Sequence, residues 1–229
     1  MGPRVSHHRS YGNRWRPVQH LAAALVVLGW VLSPAAAASR PLKIVALGDS
    51  LTAGFGLAET AAFPVRLAQA LKANGHAVTV VNAGVSGDTA TGGLNRLDWS
   101  VPGGTDAVIL ELGANDMLRG VDPQVTKTAL ATILKKLDAR HIPVLLTGMK
   151  ALPNLGDEYA HAFNAIYPAL AATHHVVFYP FFLAGVAAEP QLNLADGLHP
   201  GPAGVDVIVK RILPSVEELI ARVHKSQGS

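Results

Sequence analysis

Ser50 is the residue of this 229-residue chain around which chemistry can be built. It follows Gly48 and Asp49 at the end of an apolar run (Leu42, Ile44, Val45, Leu47), within the stretch LKIVALGDSLTAGFG at residues 42–56. A strand ending in such a turn presents one hydroxyl at the carboxyl edge of a sheet, where open α/β sheets keep their ligand crevice. Serine is a poor nucleophile without a base beside it. The segment Asp196-Gly197-Leu198-His199-Pro200 supplies one, because Asp196 can turn back to hold His199 by Nδ1 and leave Nε2 for Ser50. The backbone amides of Ser50 and Gly84 and the side-chain amide of Asn115 can aim donors at a developing oxyanion. Nucleophile, base, orienting carboxylate and oxyanion donors are the parts that acyl transfer requires. Taken singly each is ordinary: a Gly-Asp-Ser turn, an Asn after glycine, an Asp and a His ahead of a helix. Their order and placement make the reading.

The elements that must position these residues are legible as short apolar runs alternating with amphipathic segments. The runs lie at 42–47, 77–81, 107–112, 143–147 and 176–179, and most are rich in Val, Ile or Leu, as buried parallel strands are. Ser50, Gly84 and Asn115 then follow the first, second and third strands, and Asp196 and His199 precede the last helix. Helices are expected at 62–74, ended by Gly75, and from Pro123, with Asp122 as N-cap and Val125, Ala129, Ile133 and Leu137 on one face. A third is expected at 157–174, with Phe163, Ile166, Tyr167 and Leu170 inward. The last should run from about 202 to 223, kinked or divided at Pro214. Alternating β and α units imply a parallel sheet with right-handed crossovers and helices on both faces, in one α/β sandwich domain.

The first 38 residues differ in kind. Arg4, Arg9, Arg14 and Arg16 stand in a tract without acidic residues, followed by the apolar run 21–32 and the small residues Ala35 to Ala38. That is the layout of a secretory signal peptide with an A-x-A cleavage site, leaving 39–229 as the folded domain. Twelve apolar residues fall short of the roughly 20 that a membrane span needs, so no stable anchor is expected. Export, with a periplasmic location, follows as an expectation. Removing the segment takes four of the 19 basic residues and none of the 16 acidic ones, so the body is nearly neutral. A nucleic-acid partner, which asks for a basic stripe on the folded domain, loses its support. With no cysteine there is neither a disulfide framework nor a thiolate metal site, and neither metal nor cofactor is expected.

GDSLTAGFG, NAGVSGDT, ELGANDMLRG and DGLHP match, in order, the four motif blocks of the SGNH (GDSL) hydrolase family, and the chain resembles its exported thioesterase I, lysophospholipase and arylesterase branch. The similarity extends to ALPNLGDEYAHAFNAIYP and to Pro180-Phe181-Phe182. The resemblance implies a three-layer α/β/α sandwich on a five-stranded, flavodoxin-like parallel sheet. It implies a Ser50–His199–Asp196 triad, with Ser50, Gly84 and Asn115 as oxyanion donors. It also implies a cofactor-free, monomeric esterase acting on small-molecule or lipid acyl esters and thioesters.

Met149, Leu152 and Pro153 follow the fourth strand, where related enzymes line the acyl groove, although packing serves them equally. Asp49, Asp88 and Asp116 are read as turn caps or supports of the site, and Lys150 as solvated. The α/β-hydrolase pattern is not met, since its G-x-S-x-G elbow occurs nowhere in the chain. Two alternatives stay open: a carbohydrate O-acetyl esterase with the same catalytic set, and a non-catalytic binding module that would tolerate Ser50→Ala.

Overall fold

The computed structural model describes residues 1–5, 7 and 40–227. The chain divides into two units, Met1–Ser39 and Arg40–Ser229; the expected signal segment lies almost wholly outside the described residues. In the second unit the strands β1 (Leu42–Gly48), β2 (Val78–Gly84), β3 (Ala107–Glu111), β4 (Val144–Thr147) and β5 (Val177–Tyr179) form one parallel sheet of order β2-β1-β3-β4-β5. This is the flavodoxin-like order, whose switch point lies between β1 and β3. Every residue of β3 and β4 is buried, and so is all of β1 but Lys43, which explains their unbroken apolar sequences. β2 is an edge strand with a largely exposed pattern. It runs three residues past its apolar core because Asn82, Ala83 and Gly84 stay in register with Ala46, Leu47 and Gly48.

Among the described residues the helices are α1 (Ser50–Ala53), α2 (Phe63–Ala73), α3 (Ala90–Asn95), α4 (Leu97–Ser100), α5 (Ala114–Leu118), α6 (Pro123–Asp138), α7 (Asp157–Asn164), α8 (Ile166–His174) and α9 (Pro202–Gln227). α2 packs on α9, while α6 packs on α3 and α8. These groups flank the sheet as the outer layers of an α/β/α sandwich.

Two local expectations are corrected and a third is narrowed. The 157–174 segment is two helices, because Pro168 has no N–H for the Asn164 carbonyl and its ring crowds that turn. Phe163, Ile166, Tyr167 and Leu170 are nevertheless all buried. Val125 is exposed, and Thr126 takes the inward place ahead of Ala129, Ile133 and Leu137. Pro214 does not divide α9. It and Lys210, whose carbonyl loses its partner, both lie on the exposed side, where water can replace the missing bond.

Candidate active site

β1 delivers Ser50 as the first residue of α1. Asp49 caps this one-turn helix by accepting from the Leu51 amide through Oδ1 at 2.9 Å. The Ser50 amide therefore opens a helix, where the first N–H groups have no acceptor inside it. Ser50 is buried, with 9% of its surface left exposed.

The base arrives from the far end of the chain. The Asp196–His199 loop is closed on itself: the Leu194 amide donates to the His199 carbonyl at 2.7 Å, and Asn193 bridges Pro200. Within it Asp196 Oδ1 accepts from the amides of Leu198 (2.9 Å) and His199 (3.0 Å), and Oδ2 contacts His199 Nδ1 at 2.7 Å. The backbone bonds from His199 and Leu198, with the imidazole's own, hold the Asp196 carboxyl down at about 2. An ionised Asp196 accepts a hydrogen bond from Nδ1–H, which leaves Nε2 to accept from Ser50 Oγ across 2.9 Å. The structure thus brings the Ser50 hydroxyl, the His199 imidazole and the Asp196 carboxylate together through two successive contacts.

Asn115 comes from the turn after β3. Its Nδ2 donates to Asp49 Oδ2 at 3.1 Å and to the Asp88 carbonyl at 3.0 Å. The amide is thereby pinned beside the Ser50 turn. Gly84 stands differently. Its amide donates to its neighbour Asn82 Oδ1 at 3.0 Å, and its α-carbon lies so close to the Ala53 backbone that a Cβ there would meet Ala53 N at 2.2 Å. The glycine is needed for the close approach of β2 to α1, and its N–H is turned to Asn82. The next turn of that loop, Gly87 and Asp88, is the part held against the Asn115 helix, through Asp88 O and through Arg119 Nη2 on Gly87 O at 2.8 Å.

The three aspartates support this frame. Asp49 joins the Ser50 turn to Asn115. Asp116 is buried and accepts from the Ala90 amide (2.8 Å) and Thr126 Oγ1 (2.9 Å), fixing α5 to α3 and α6. Asp88 pairs with Arg96 Nε at 2.5 Å. Sequence reasoning missed Arg96, which is buried and gathers the carbonyls of Gly48 (2.7 Å) and Ala83 (2.8 Å) behind the site. An arginine ending a short helix gave no signal of this. It also missed Glu111, where a signal existed: a carboxylate inside an otherwise apolar strand. Glu111 Oε2 accepts from Thr52 Oγ1 (2.8 Å) and the Asp49 amide (3.3 Å), while buried Oε1 has no hydrogen-bond partner. Burial first, then the nearby Asp49 charge, pushes the Glu111 carboxyl well above the usual range, and burial lifts Asp49 to about 6.

Met149 is buried and Leu152 is partly exposed beyond β4, and Lys150 lies over the Phe181 ring at 5.1 Å. Among the described residues there is no group of three or more His, Asp or Glu placed to hold a metal, and no helix is long and apolar enough to cross a membrane.

Residues 46–207 match the GDSL-like Lipase/Acylhydrolase family. An arylesterase of Vibrio mimicus is 40% identical over 178 residues, 77% of this chain and 88% of that protein. The esterase TesA of Pseudomonas aeruginosa is 37% identical over 84% of this chain and 96% of its own. Among solved structures, the SGNH-hydrolase family esterase AlinE4 is 41% identical with a TM-score of 0.67, covering 78% of this chain and 96% of that one. A crystal structure of TesA gives a TM-score of 0.74 at 36% identity, over 77% and 99%. The motif order, the sheet order and these likenesses agree: the chain belongs to the GDSL-like lipase/acylhydrolase family.

Proposed function

We infer that the protein is a serine esterase that hydrolyses acyl esters and thioesters through an acyl-enzyme. The observation that carries this reading is the 2.9 Å contact between His199 Nε2 and Ser50 Oγ, with Nδ1 held by Asp196. Ser50 Oγ attacks the acyl carbonyl as His199 takes its proton. The tetrahedral oxyanion is received by the Ser50 amide and Asn115 Nδ2. A third donor belongs to the loop after β2: either the Gly84 amide, which would exchange Asn82 Oδ1 for the oxyanion as Asn115 exchanges its own acceptors, or the Gly87 amide in the turn that Arg119 holds. Collapse expels the alcohol or thiol, protonated by His199, and water repeats the sequence on the acyl-enzyme. One chain supplies every part, which suits a monomer.

Small acyl esters, including aryl esters, are the substrate class that the similarity to an arylesterase and to the esterase TesA supports. The amino-terminal arginines, apolar run and A-x-A site support export to the periplasm. A fluorophosphonate should label Ser50 and no other serine, and Ser50→Ala should abolish both labelling and turnover; labelling elsewhere would overturn the assignment. A chain-length series of p-nitrophenyl esters, run beside a lysophospholipid and an acetylated glycan, sizes the substrate. Turnover of the glycan acetate alone would replace the lipid-type reading with a carbohydrate O-acetyl esterase.

A further inference from the structure

The turn that presents Ser50 also places an aromatic ring. The amides of Gly54 and Phe55 both donate to the Ser50 carbonyl at 3.1 Å. This closes the turn and brings the Phe55 side chain against the catalytic loop. Its ring centroid lies 4.5 Å from that of His199, with the planes tilted by 37°. Phe55 nevertheless remains 50% exposed. The imidazole does not depend on this contact for its orientation, since Asp196 already holds Nδ1. A large apolar ring packed on the base and half open to water is a contact surface looking for a second occupant, because aromatic side chains gain most of their energy by burial.

The reaction decides which part of the substrate comes there. In acyl transfer the carbonyl oxygen turns toward the oxyanion donors, while Nε2 of the base hands its proton to the departing oxygen or sulfur. The space beside the imidazole therefore belongs to the leaving group. We propose that Phe55 is a specificity-determining residue that stacks the alcohol or thiol portion of the substrate, favouring aromatic and long apolar leaving groups over small alkyl ones.

This proposal rests on the serine esterase reading, and its test separates the two. Benzyl acetate and ethyl acetate form the same acetyl-enzyme from alcohols of similar basicity, so the ratio of their kcat/KM values isolates recognition of the leaving group. Phe55→Ala should lower the benzyl-to-ethyl ratio about five- to ten-fold, the size of one aromatic contact. Phe55→Tyr should restore it, and Phe55→Leu, which keeps apolar bulk against His199, should fall between. A ratio that is the same in all four proteins overturns the proposal, even if the rates themselves drop. Fluorophosphonate labelling of Ser50 in each variant reads the esterase chemistry separately: loss of labelling in the unaltered protein would fail that reading instead.

Discussion

At Asn115 both amide hydrogens are committed, one to Asp49 Oδ2 and one to the Asp88 carbonyl. An incoming oxyanion must exchange for one of these acceptors, and in return the donor is held in position before substrate arrives. Asn115→Ala should therefore lower kcat by roughly 10²–10³ with little change in KM, the usual cost of one oxyanion donor; steady-state kinetics on a p-nitrophenyl ester measures it. The buried carboxyls behind Ser50 give a different expectation. Asp49 is raised to about 6 and Glu111 further, so their contribution to stability is complete below the ordinary carboxylate range and is lost as pH rises through the folded values. Asp196, lowered to about 2, has the opposite sign, contributing fully above the ordinary value and losing it as pH falls toward 2. Stability should then be greatest near about pH 4, where Asp196 already contributes fully and the loss from Asp49 and Glu111 has only begun, and Glu111→Gln should flatten the decline above that pH. Urea midpoints across pH 3 to 9 test this; an unaltered alkaline slope in the variant would show that Glu111 is ionised without penalty.

Elements place these residues by very local means. Gly113 has φ +117 and lies under Tyr167, whose hydroxyl donates to the Leu112 carbonyl at 3.0 Å; a Cβ at Gly113 would meet that hydroxyl at 2.0 Å. Gly113→Ala must displace either Tyr167 or the start of α5. It should destabilise the protein by about 2 kcal/mol or more and lower activity as Asn115 leaves its place, both readable from denaturation and kinetics on one preparation. The same local physics decided what the sequence could reveal. Central strands were legible because burial on both sides leaves a continuous apolar run, as in Val108 to Leu110. The last residues of β2 were not, since Asn82-Ala83-Gly84 reads as a turn and is held by pairing with β1. The helix break at Ala165 was announced by Pro168, whereas the intact α9 depended on which side Pro214 faced. The meeting of Ser50, His199 and Asp196 was readable because these residues sit in recognisable turns. The direction of the Gly84 amide depends on a side chain two residues away, and the reach of Arg96 depends on tertiary packing that no spacing encodes.

At the scale of the whole molecule, the site is assembled from the switch point of the sheet and from a loop that arrives 149 residues after the nucleophile. β1, β2 and β3 can pair, and Ser50, Asn115 and their buried supports can all be in place, before Asp196 and His199 have docked. In a refolding experiment the far-UV circular dichroism should recover first and esterase activity afterwards, with fluorophosphonate labelling following activity. Simultaneous recovery of all three would mean that the last loop docks as part of the folding nucleus. The His199 loop closes on itself through the Asn193–Pro200 bridge and is followed at once by α9, so its own bonds do not depend on the strands that carry Ser50 and Asn115. A chain whose last loop has not yet docked thus bears a serine no more reactive than any other. Its hydrolytic power is a property of completion, absent until the final quarter of the chain has folded.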